Sequence, residues 1–522
     1  MSASTNPPAD RAERVVETRI PARMDRLPWS RWHWLVVAAL GTVWILDGLE
    51  VTIVGGMGSV LQKPETLKFT TSQVGLQATV YLIGAVLGSL WFGYLTDRMG
   101  RKRLFDVTLG IYLIGTFATA FTGNFWTFAL CRLVAGAGIG GEYAAINSAI
   151  DELIPARVRG TVDLVINGSY WAGAAVGAFG QIFLLNPNLL PVNLGWRLSF
   201  AIGAVLGLVI LFLRRTIPES PRWLMIHGRA DEAEGIVDDI EARVEREIGS
   251  GSLAEAEDSI TIHQRERTSL LEVARTMVKR YPRRSVLGLA LMVSQAFFYN
   301  ALFFTYALVL STFYGVPSQN APYYLLVFAI GNFLGPLVLG RLFDTVGRRQ
   351  MIAATYALSA VLLALTAWLF AADVLTATTQ TIAWAVIFFI ASASASSAYL
   401  TVSEVFPLET RALAIALFYS IGTGIGGVGA PVLFGVLIGT KHRMPLTWGY
   451  VFGALLLLGA AAIELAFGVR AEQESLEDVA TPLAAEAAAE AAEAEEAESS
   501  GVGGTSGAAG TSGVGDGEGA QR

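Results

Sequence analysis

The sequence predicts an all-α membrane protein with twelve transmembrane helices in two six-helix, pseudo-repeated bundles. Composition supports this class, because 53% of the 522 residues are hydrophobic and only 16% are charged, whereas soluble domains carry roughly 25% charged residues. A helix that crosses the ~30 Å hydrocarbon core needs about 20 apolar residues. Apolar runs of about this length lie near residues 32–56, 75–95, 104–122, 125–148, 162–184, 195–213, 285–313, 322–343, 350–371, 379–403, 413–438 and 446–469.

The two-bundle arrangement is predicted from two charged patterns that each occur twice. The pattern G-x3-D-x2-G-R-[KR] begins at Gly93 and again at Gly340, 247 residues later. The pattern E-x2-P-x3-R begins at Glu152 and again at Glu404, 252 residues later. Two unrelated patterns with nearly the same offset indicate duplication of a six-helix unit. Parallel repeats of this kind place a solute site between the halves near the bilayer midplane.

Basic residues predict the orientation, because Arg and Lys concentrate in the links after the second, fourth, eighth and tenth spans. The positive-inside rule then places both termini in the cytoplasm of a cell that carries this multi-pass protein in its cell membrane. The single cysteine, Cys131, excludes an intrachain disulfide, and no cleavable signal peptide is visible. The predicted segments are an N-terminal tail (1–30), a first bundle (31–213), a linker with surface helices (214–284), a second bundle (285–470) and a disordered tail, acidic and then Gly/Ser-rich, without a transport role (471–522).

The duplicated charged patterns predict a cytoplasmic gate. Gly100 and Gly347 permit a tight turn between adjacent helices, and the acidic residues need basic partners or helix N-termini. A cluster of such pairs could close the cytoplasmic side in one state and break in the other. The alternative is that the arginines only set topology. The predicted gate residues are Asp97, Arg101, Glu152, Arg159, Asp344, Arg348, Glu404 and Arg411.

Further motifs resemble a known family. The fourth span reads RLVAGAGIGGEYAAINSAIDELIPARVRG (132–160), PESPRWL stands at 218–224, and Gln295 and Asn300 have Q-x4-N spacing. With the repeated patterns, these segments resemble the major facilitator superfamily over about residues 30–470, specifically the sugar-porter group and its metabolite:proton symporter relatives. The segments GGEY (140–143) and DGLE (47–50) are more similar to carriers of organic acids or phosphate. The resemblance implies the major facilitator fold and secondary transport.

Charged residues within the spans are candidates for proton coupling, since ionisable groups inside a membrane are costly. Asp47 and Glu50 lie three residues apart on the first span and share a helix face. The resemblance implies that Glu50 pairs with Arg132 of the fourth span and carries the proton, with Asp47 as the second candidate. The alternative is a purely structural ion pair between the two helices.

Polar and aromatic residues of central spans are candidate solute ligands. The resemblance implies this role for Asn167, Gln295 and Asn300, and aromatic walls from Trp384 and Tyr399. Glu142 is either a charge on the solute side or a packing group. The alternative for the amides is an interhelical hydrogen bond, and for the aromatic residues ordinary packing.

The sequence gives little support for nucleotide binding, metal binding or catalysis. The segments GAGIGG (136–141) and GTGIGG (422–427) satisfy G-x-G-x-x-G, but they lie in apolar helices and favour close helix packing over dinucleotide binding. No P-loop or Cys/His metal pattern occurs, so we expect no enzyme, no metal and no cofactor beyond the proton gradient. The expected partners are the lipid bilayer and a small-molecule substrate, without nucleic acid, and the protein is expected to act as a monomer.

These observations predict a proton-coupled symporter that imports a small polar solute, a sugar or an organic acid, by alternating access. An uncoupled facilitator or an exporter of the same fold is the first alternative. A nutrient sensor that does not transport is the second, for which the long linker and the acidic tail give weak support.

Overall fold

A computed structural model describes residues 15–213, 218–249, 251–256, 259–263, 270–317 and 320–481. The chain is helical almost throughout these ranges. The exception is a two-stranded antiparallel ribbon of β1 (Val15–Thr18) and β2 (Ile260–His263), in which Val15 lies opposite His263. Residues 1–14 of the predicted N-terminal tail and residues 482–522 of the predicted C-terminal tail lie outside the described residues.

The first half of the chain supplies six spans, of which the fifth is broken at Ser169. Its helices are α1 (Ile20–Asp25), α2 (Arg31–Gly56), α3 (Gly58–Leu61), α4 (Thr71–Met99), α5 (Arg101–Thr119), α6 (Phe125–Leu153), α7 (Arg159–Gly168), α8 (Tyr170–Leu184) and α9 (Val192–Leu213). The linker forms α10 (Pro221–Ile226), α11 (Ala230–Ile248) and α12 (Leu270–Lys279).

The second half repeats this pattern of six spans. Its helices are α13 (Pro282–Phe303), α14 (Tyr306–Tyr314), α15 (Ala321–Thr345), α16 (Arg348–Ala371), α17 (Ala377–Glu404), α18 (Leu408–Gly422), α19 (Gly429–Gly439), α20 (Arg443–Phe467) and α21 (Leu476–Val479). A π-helical turn, Thr423–Gly427, joins α18 to α19. The twelve predicted runs therefore correspond to twelve helical spans, two of which are interrupted by short breaks and one by the π-turn.

The outer surface of the bundle is apolar, as a lipid-facing surface must be. Eight of the described helices are long and apolar enough to cross a membrane by length and composition alone. Large apolar side chains point outward from many spans, and Trp126, Phe121 and Ile114 are 76%, 70% and 69% exposed. Such a surface would be an aggregation liability in water, but it requires no partner in hydrocarbon.

Glycines form the tight turns that the repeated pattern predicts. Gly100 ends α4 and begins α5 with a φ of 88°, and Gly347 occupies the same position between α15 and α16 with a φ of 121°. Residues with a Cβ rarely adopt these angles. Both turns connect antiparallel neighbouring helices without a longer loop.

Small residues bring helices within each bundle into backbone contact. A Cβ added to Gly173 of α8 would lie 1.7 Å from the carbonyl oxygen of Ile45 on α2. The GAGIGG segment makes the same kind of contact, because a Cβ on Gly136 or Gly140 would lie 2.1 or 2.0 Å from carbonyl oxygens of α4. This geometry agrees with the packing interpretation of the G-x-G-x-x-G pattern.

The two bundles meet along two seams. At one seam, α4 packs against α18, and Ser89 donates a hydrogen bond to the carbonyl of Ala416 at 3.1 Å. At the other seam, α7 and α8 pack against α15, and the Trp171 ring lies 5.5 Å from the Phe328 ring. The core therefore continues across the boundary between the halves and surrounds a central space.

Elements from both ends of the chain and from the linker gather on one side of the bundles, which we call the terminal face. It carries α1, α10, α11, the β-ribbon and α21. Arg23 of α1 donates to Asp238 and Glu241 of α11 at 2.6 and 2.5 Å. Burial opposes ionisation of Glu241, but Arg23 and Arg26 outweigh it and hold the pKa of this carboxyl below its usual value.

The first eleven residues of the predicted C-terminal tail, 471–481, pack against the protein. Residues 471–481, which we expected to be disordered, pack against the terminal face, where Leu476 is 1% exposed and Val479 is 7% exposed. Ser475 caps α21 by accepting a hydrogen bond from the backbone of Asp478. The expectation was wrong here because the residues that bury this segment lie far away in the sequence.

Close helix packing gives a test of the fold. We expect Gly173→Ala to lower the free energy of unfolding by about 1–3 kcal/mol, because the added methyl group meets the α2 backbone. Gly180→Ala on the same helix is the matched control, since no atom lies within 4 Å of its added Cβ. Thermal unfolding of the detergent-solubilised protein measures both variants, and equal midpoints would contradict the packing described here.

Candidate functional site

A cavity of about 150 Å³ lies between the two bundles. Helices from both halves line it, with Asp47 from α2, Tyr143 from α6, Asn300 from α13 and Tyr399 from α17 among the contributors. The position between the repeats is the one that the duplicated sequence predicts for a solute site.

Asp47 points into this cavity from the first span. It is 1% exposed. The hydroxyl of Tyr81 donates to one of its oxygens at 3.1 Å, and the hydroxyl of Tyr143 donates to the other at 2.5 Å. No Lys or Arg side chain of the described residues forms an ion pair with it. Two phenol hydrogen bonds thus hold a buried carboxylate that has no counter-charge of its own.

Glu50 and Arg132 form a buried ion pair behind the cavity wall. Arg132 donates to Glu50, and each residue is 1% exposed. The Arg132 guanidinium also lies 4.5 Å from the centroid of the Tyr81 ring, within the range of a cation–π contact. The contact between first and fourth spans expected from the resemblance is therefore present, and Tyr81 links it to Asp47.

Helix geometry explains why these residues meet. Arg132 and Tyr143 are eleven residues apart on α6, about three turns, so they lie on one face of the helix. Trp44 and Asp47 are separated by three residues on α2 and also share a face. One side of each helix therefore presents an aromatic ring and an ionic group toward the centre.

Five aromatic rings beside Asp47 form a cluster that draws on both halves. Ring centroids are 4.8 Å apart for Trp44 and Tyr143, 4.5 Å for Tyr143 and Tyr419, and 5.9 Å for Trp44 and Tyr399. Tyr170 completes this set, with its centroid 6.5 Å from that of Trp44. The rings come from α2, α6, α8, α17 and α18. We call these five residues the aromatic cluster.

Four of the six predicted solute ligands line the cavity, namely Asn167, Gln295, Asn300 and Tyr399. Two of the amide groups already donate hydrogen bonds to backbone carbonyls of their own helices. The Asn300 amide donates to the carbonyl of Ala296 at 2.7 Å, and the Asn167 amide donates to the carbonyl of Asp163 at 2.9 Å. The alternative role, a hydrogen bond between helices, is represented by one long contact, in which the Asn167 amide donates to Asn147 at 3.4 Å.

Glu142 and Trp384 do not line the cavity, so their assignment as solute ligands needs correction. Trp384 lies fifteen residues before Tyr399 on α17, roughly 22 Å away along the helix axis, and its ring packs 4.7 Å from that of Tyr306. Glu142 is buried on α6 immediately before Tyr143. Because adjacent helix positions differ by about 100° in direction, its side chain does not point toward the cavity as that of Tyr143 does.

Sequence reasoning missed most of the aromatic lining. Trp44, Tyr81, Tyr143, Tyr170 and Tyr419 all face the cavity, but aromatic residues are frequent throughout the chain. Only helix phase relative to Asp47 and Arg132 could have identified Trp44 and Tyr143. No sequence signal pointed to Tyr419.

The terminal face contains a second set of buried charges, centred on Asp344 at the end of α15. This carboxylate accepts hydrogen bonds from the backbone of Gly160 at 3.2 Å and of Thr161 at 2.6 Å, at the beginning of α7 in the other half. Arg348 donates to it at 2.7 Å and makes two further bonds to Glu404, at 3.0 and 3.1 Å. Asp344 therefore connects the two bundles.

Segments outside the bundles extend this network. Arg159 donates to Asp25 of α1 at 3.2 Å and to the carbonyl of Glu474 at 3.3 Å. Arg222, from the PESPRWL segment, donates to Glu477 of α21 at 2.9 Å. Burial opposes ionisation of Glu477, but Arg222 outweighs it and holds the pKa of this carboxyl below its usual value.

Other predicted gate residues have different surroundings. Arg411 is buried, and its hydrogen bond runs to the carbonyl of Phe406 at 3.4 Å rather than to a carboxylate. The backbone carbonyl of Glu152 accepts from Arg222 at 3.1 Å. The side chains of Asp97 and Arg101 lie outside the described part of the structure.

A further repeat appears only in the structure. Glu219 accepts a hydrogen bond from the backbone of Lys102 at 3.2 Å, at the beginning of α5. Glu472 accepts one from the backbone of Arg348 at 3.3 Å, at the beginning of α16. Each acid follows the last span of its bundle and binds the N-terminus of the third helical span, where a negative charge is favourable.

The fold and these two sites can be compared with known proteins. The family model "Sugar (and other) transporter" matches residues 34–479. The chain belongs to this family, within the major facilitator superfamily, and is a transmembrane transporter rather than an enzyme.

Individual relatives agree with this assignment. The niacin transporter NiaP of Acinetobacter baylyi is 25% identical over 464 residues, covering 88% of this chain and 99% of the relative. The putative metabolite transport protein YdjK of Escherichia coli is 28% identical over 477 residues, covering 88% and 95%. The structure of the proton:xylose symporter XylE is similar in fold, with a TM-score of 0.70 and 18% identity over 86% of this chain and 98% of that one.

The hydrogen bonds of Asp344 predict that this residue holds the two halves together at the terminal face. We expect Asp344→Asn to destabilise the protein by about 2–4 kcal/mol, because the change weakens a buried, charge-assisted contact between the halves. Asp373→Asn is the control, since its ion pair with Arg443 has a carboxylate that is 70% exposed.

Two measurements test this expectation. Thermal unfolding gives the stability of each variant. Alkylation of a cysteine introduced at the cavity residue Ser396, in a Cys131→Ser background, reports access from the terminal face and should accelerate only with Asp344→Asn. Equal alkylation rates in both variants would show that Asp344 does not hold the face closed.

Truncation tests whether residues 471–481 contribute to the fold. We expect a chain that ends at residue 481 to keep uptake and stability. A chain that ends at residue 470 should lose stability, because removal of Glu477 leaves the buried Arg222 without this partner. Thermal unfolding and uptake in vesicles compare the two chains, and equal behaviour would mean that residues 471–481 do not contribute.

Proposed function

We propose that the chain is a proton-coupled symporter that imports a small polar solute by alternating access. The observation that carries this proposal is the buried Glu50–Arg132 pair beside Asp47 at the cavity between the halves. An ionisable pair in the membrane interior is costly to retain unless it has a function. The names of similar proteins, a niacin transporter and a proton:xylose symporter, support a small polar solute and proton coupling.

Protonation of Glu50 would remove the charge that Arg132 neutralises. The guanidinium would then be free to move away from Glu50. The Tyr81 ring, which contacts the guanidinium, would move with it. Because Tyr81 also donates to Asp47, the change reaches the cavity wall through a single side chain. Asp47 is the second candidate for carrying the proton, and it touches the cavity directly.

The terminal face supplies the gate in this proposal. We place that face and both termini in the cytoplasm and the protein in the cell membrane, where it acts as a monomer and uses the proton gradient instead of a cofactor. In this proposal, the bonds of Asp344 across the halves close this side. Solute and proton binding from the outside would then favour a state in which the network separates.

Uptake by Glu50→Gln tests the coupling. In proteoliposomes with an imposed pH gradient, we expect this variant to lose about tenfold or more of solute accumulation, because glutamine cannot take up the proton. Exchange of labelled for unlabelled solute, which needs no net proton movement, should persist. Glu464→Gln is the control, because Glu464 is also buried in a span but lies on α20 away from the cavity.

The outcomes distinguish the alternatives. Accumulation that persists in Glu50→Gln would contradict coupling through Glu50 and direct attention to Asp47. Uptake in the unmodified protein that only equilibrates the solute would indicate an uncoupled facilitator. Absence of any solute movement under every gradient would favour a sensor over a transporter.

A further inference from the structure

The cavity has one charged side chain and many aromatic ones. Among the described residues that line it, Asp47 is the only acidic or basic residue, and the rest are aromatic, amide, hydroxyl or aliphatic. Arg132 is paired with Glu50 behind the wall, so together they add no net charge beside the cavity. A solute in this space therefore meets one negative charge and no positive one.

The buried carboxylate favours a positive partner. Asp47 is held by two phenol hydroxyls, which solvate a carboxylate but leave its charge uncompensated. An unpaired charge in a low-dielectric interior is strongly unfavourable. A cationic solute beside Asp47 would supply the missing charge, whereas an anionic solute would add a second negative charge to the site.

The aromatic cluster offers the second half of a cation site. Tyr143 belongs to the cluster and also bonds Asp47 at 2.5 Å, so the rings and the carboxylate adjoin. Aromatic faces attract alkylammonium groups, and cages of several rings are used to bind quaternary ammonium ligands. Trp44, Tyr143 and Tyr170 come from the first half, and Tyr399 and Tyr419 come from the second.

The remaining polar groups of the lining are neutral, and several already form hydrogen bonds within the protein. The Asn300 and Asn167 amides donate to carbonyls of their own helices. The Tyr299 hydroxyl donates to Asn332 at 2.9 Å. None of these neutral groups compensates the charge of Asp47, and a cation with an apolar body would leave their bonds in place.

We propose that the solute is a small organic cation, an amine or quaternary ammonium compound, with its charge beside Asp47 and its apolar body against the aromatic cluster. This inference rests on the proposed transport function and names the class of solute at the same cavity. The ring contributions from both halves also give the cation a direct effect on the conformational equilibrium, because it contacts the two bundles at once.

The binding experiment compares molecules that differ in charge but not in shape. Purified protein is titrated with choline, its neutral carbon analogue 3,3-dimethylbutan-1-ol, D-xylose and nicotinate, with tryptophan fluorescence and thermal unfolding as readouts. Trp44 and Trp171 line the cavity and report on occupancy. We expect choline to bind about tenfold or more tightly than its neutral analogue, and the sugar and the anion to bind more weakly than choline.

Variants assign this preference to the site. Asp47→Asn should bring choline and its neutral analogue to within about twofold of each other, because the counter-charge is gone. Tyr419→Leu should weaken choline binding, whereas Tyr419→Phe should keep most of it, since a cation–π contact needs the ring and not the hydroxyl. Glu464→Gln should leave the preference unchanged. The Tyr419 pair keeps the test decisive if Asp47→Asn fails to fold.

The outcomes separate this inference from the proposed function. If choline and its neutral analogue bind equally, or if D-xylose or nicotinate binds more tightly than choline, the cation assignment is wrong. Proton-driven uptake of such a sugar or anion would then leave the transport proposal intact. If choline binds as expected but vesicles move it under no gradient, the cation site stands and the transport proposal fails.

Discussion

The buried ion pair between Glu50 and Arg132 is the interaction on which the central part of the molecule depends. Pairing lowers the cost of a charge in the membrane interior, and the contact between Glu50 and Arg132 holds α2 and α6 at one relative position. That position also brings Tyr81 over the guanidinium and within reach of Asp47. The charge state of the pair and the shape of the cavity are therefore physically connected.

The same constraint organises the terminal face. Arg159, Arg222 and Arg348 are each nearly fully buried, and each requires oxygen atoms to satisfy its donors. Their partners include Asp25, which precedes the first span, and Glu477, which follows the last. Segments that look like peripheral tails thus complete a polar network that a bundle of spans alone would leave unsatisfied.

Much of the fold was accessible from the sequence because membrane burial leaves a one-dimensional signal. Apolar length predicted the spans, the repeated patterns predicted the two halves, and the glycines at 100 and 347 predicted the turns. The Glu50–Arg132 contact was accessible through the resemblance, which implies a pair between an acid of the first span and an arginine of the fourth. Of the predicted solute ligands, Asn167, Gln295, Asn300 and Tyr399 line the cavity, while Trp384 and Glu142 do not.

The sequence by itself determined which residues enter the membrane and which charges must find partners there. Only the tertiary structure decided which side of each helix faces the cavity, and therefore that the aromatic cluster, rather than Trp384, surrounds Asp47. It also decided that residues 471–481 are ordered. The physical reason is that hydrophobicity acts residue by residue, whereas helix phase and the burial of a short segment depend on contacts between residues hundreds of positions apart.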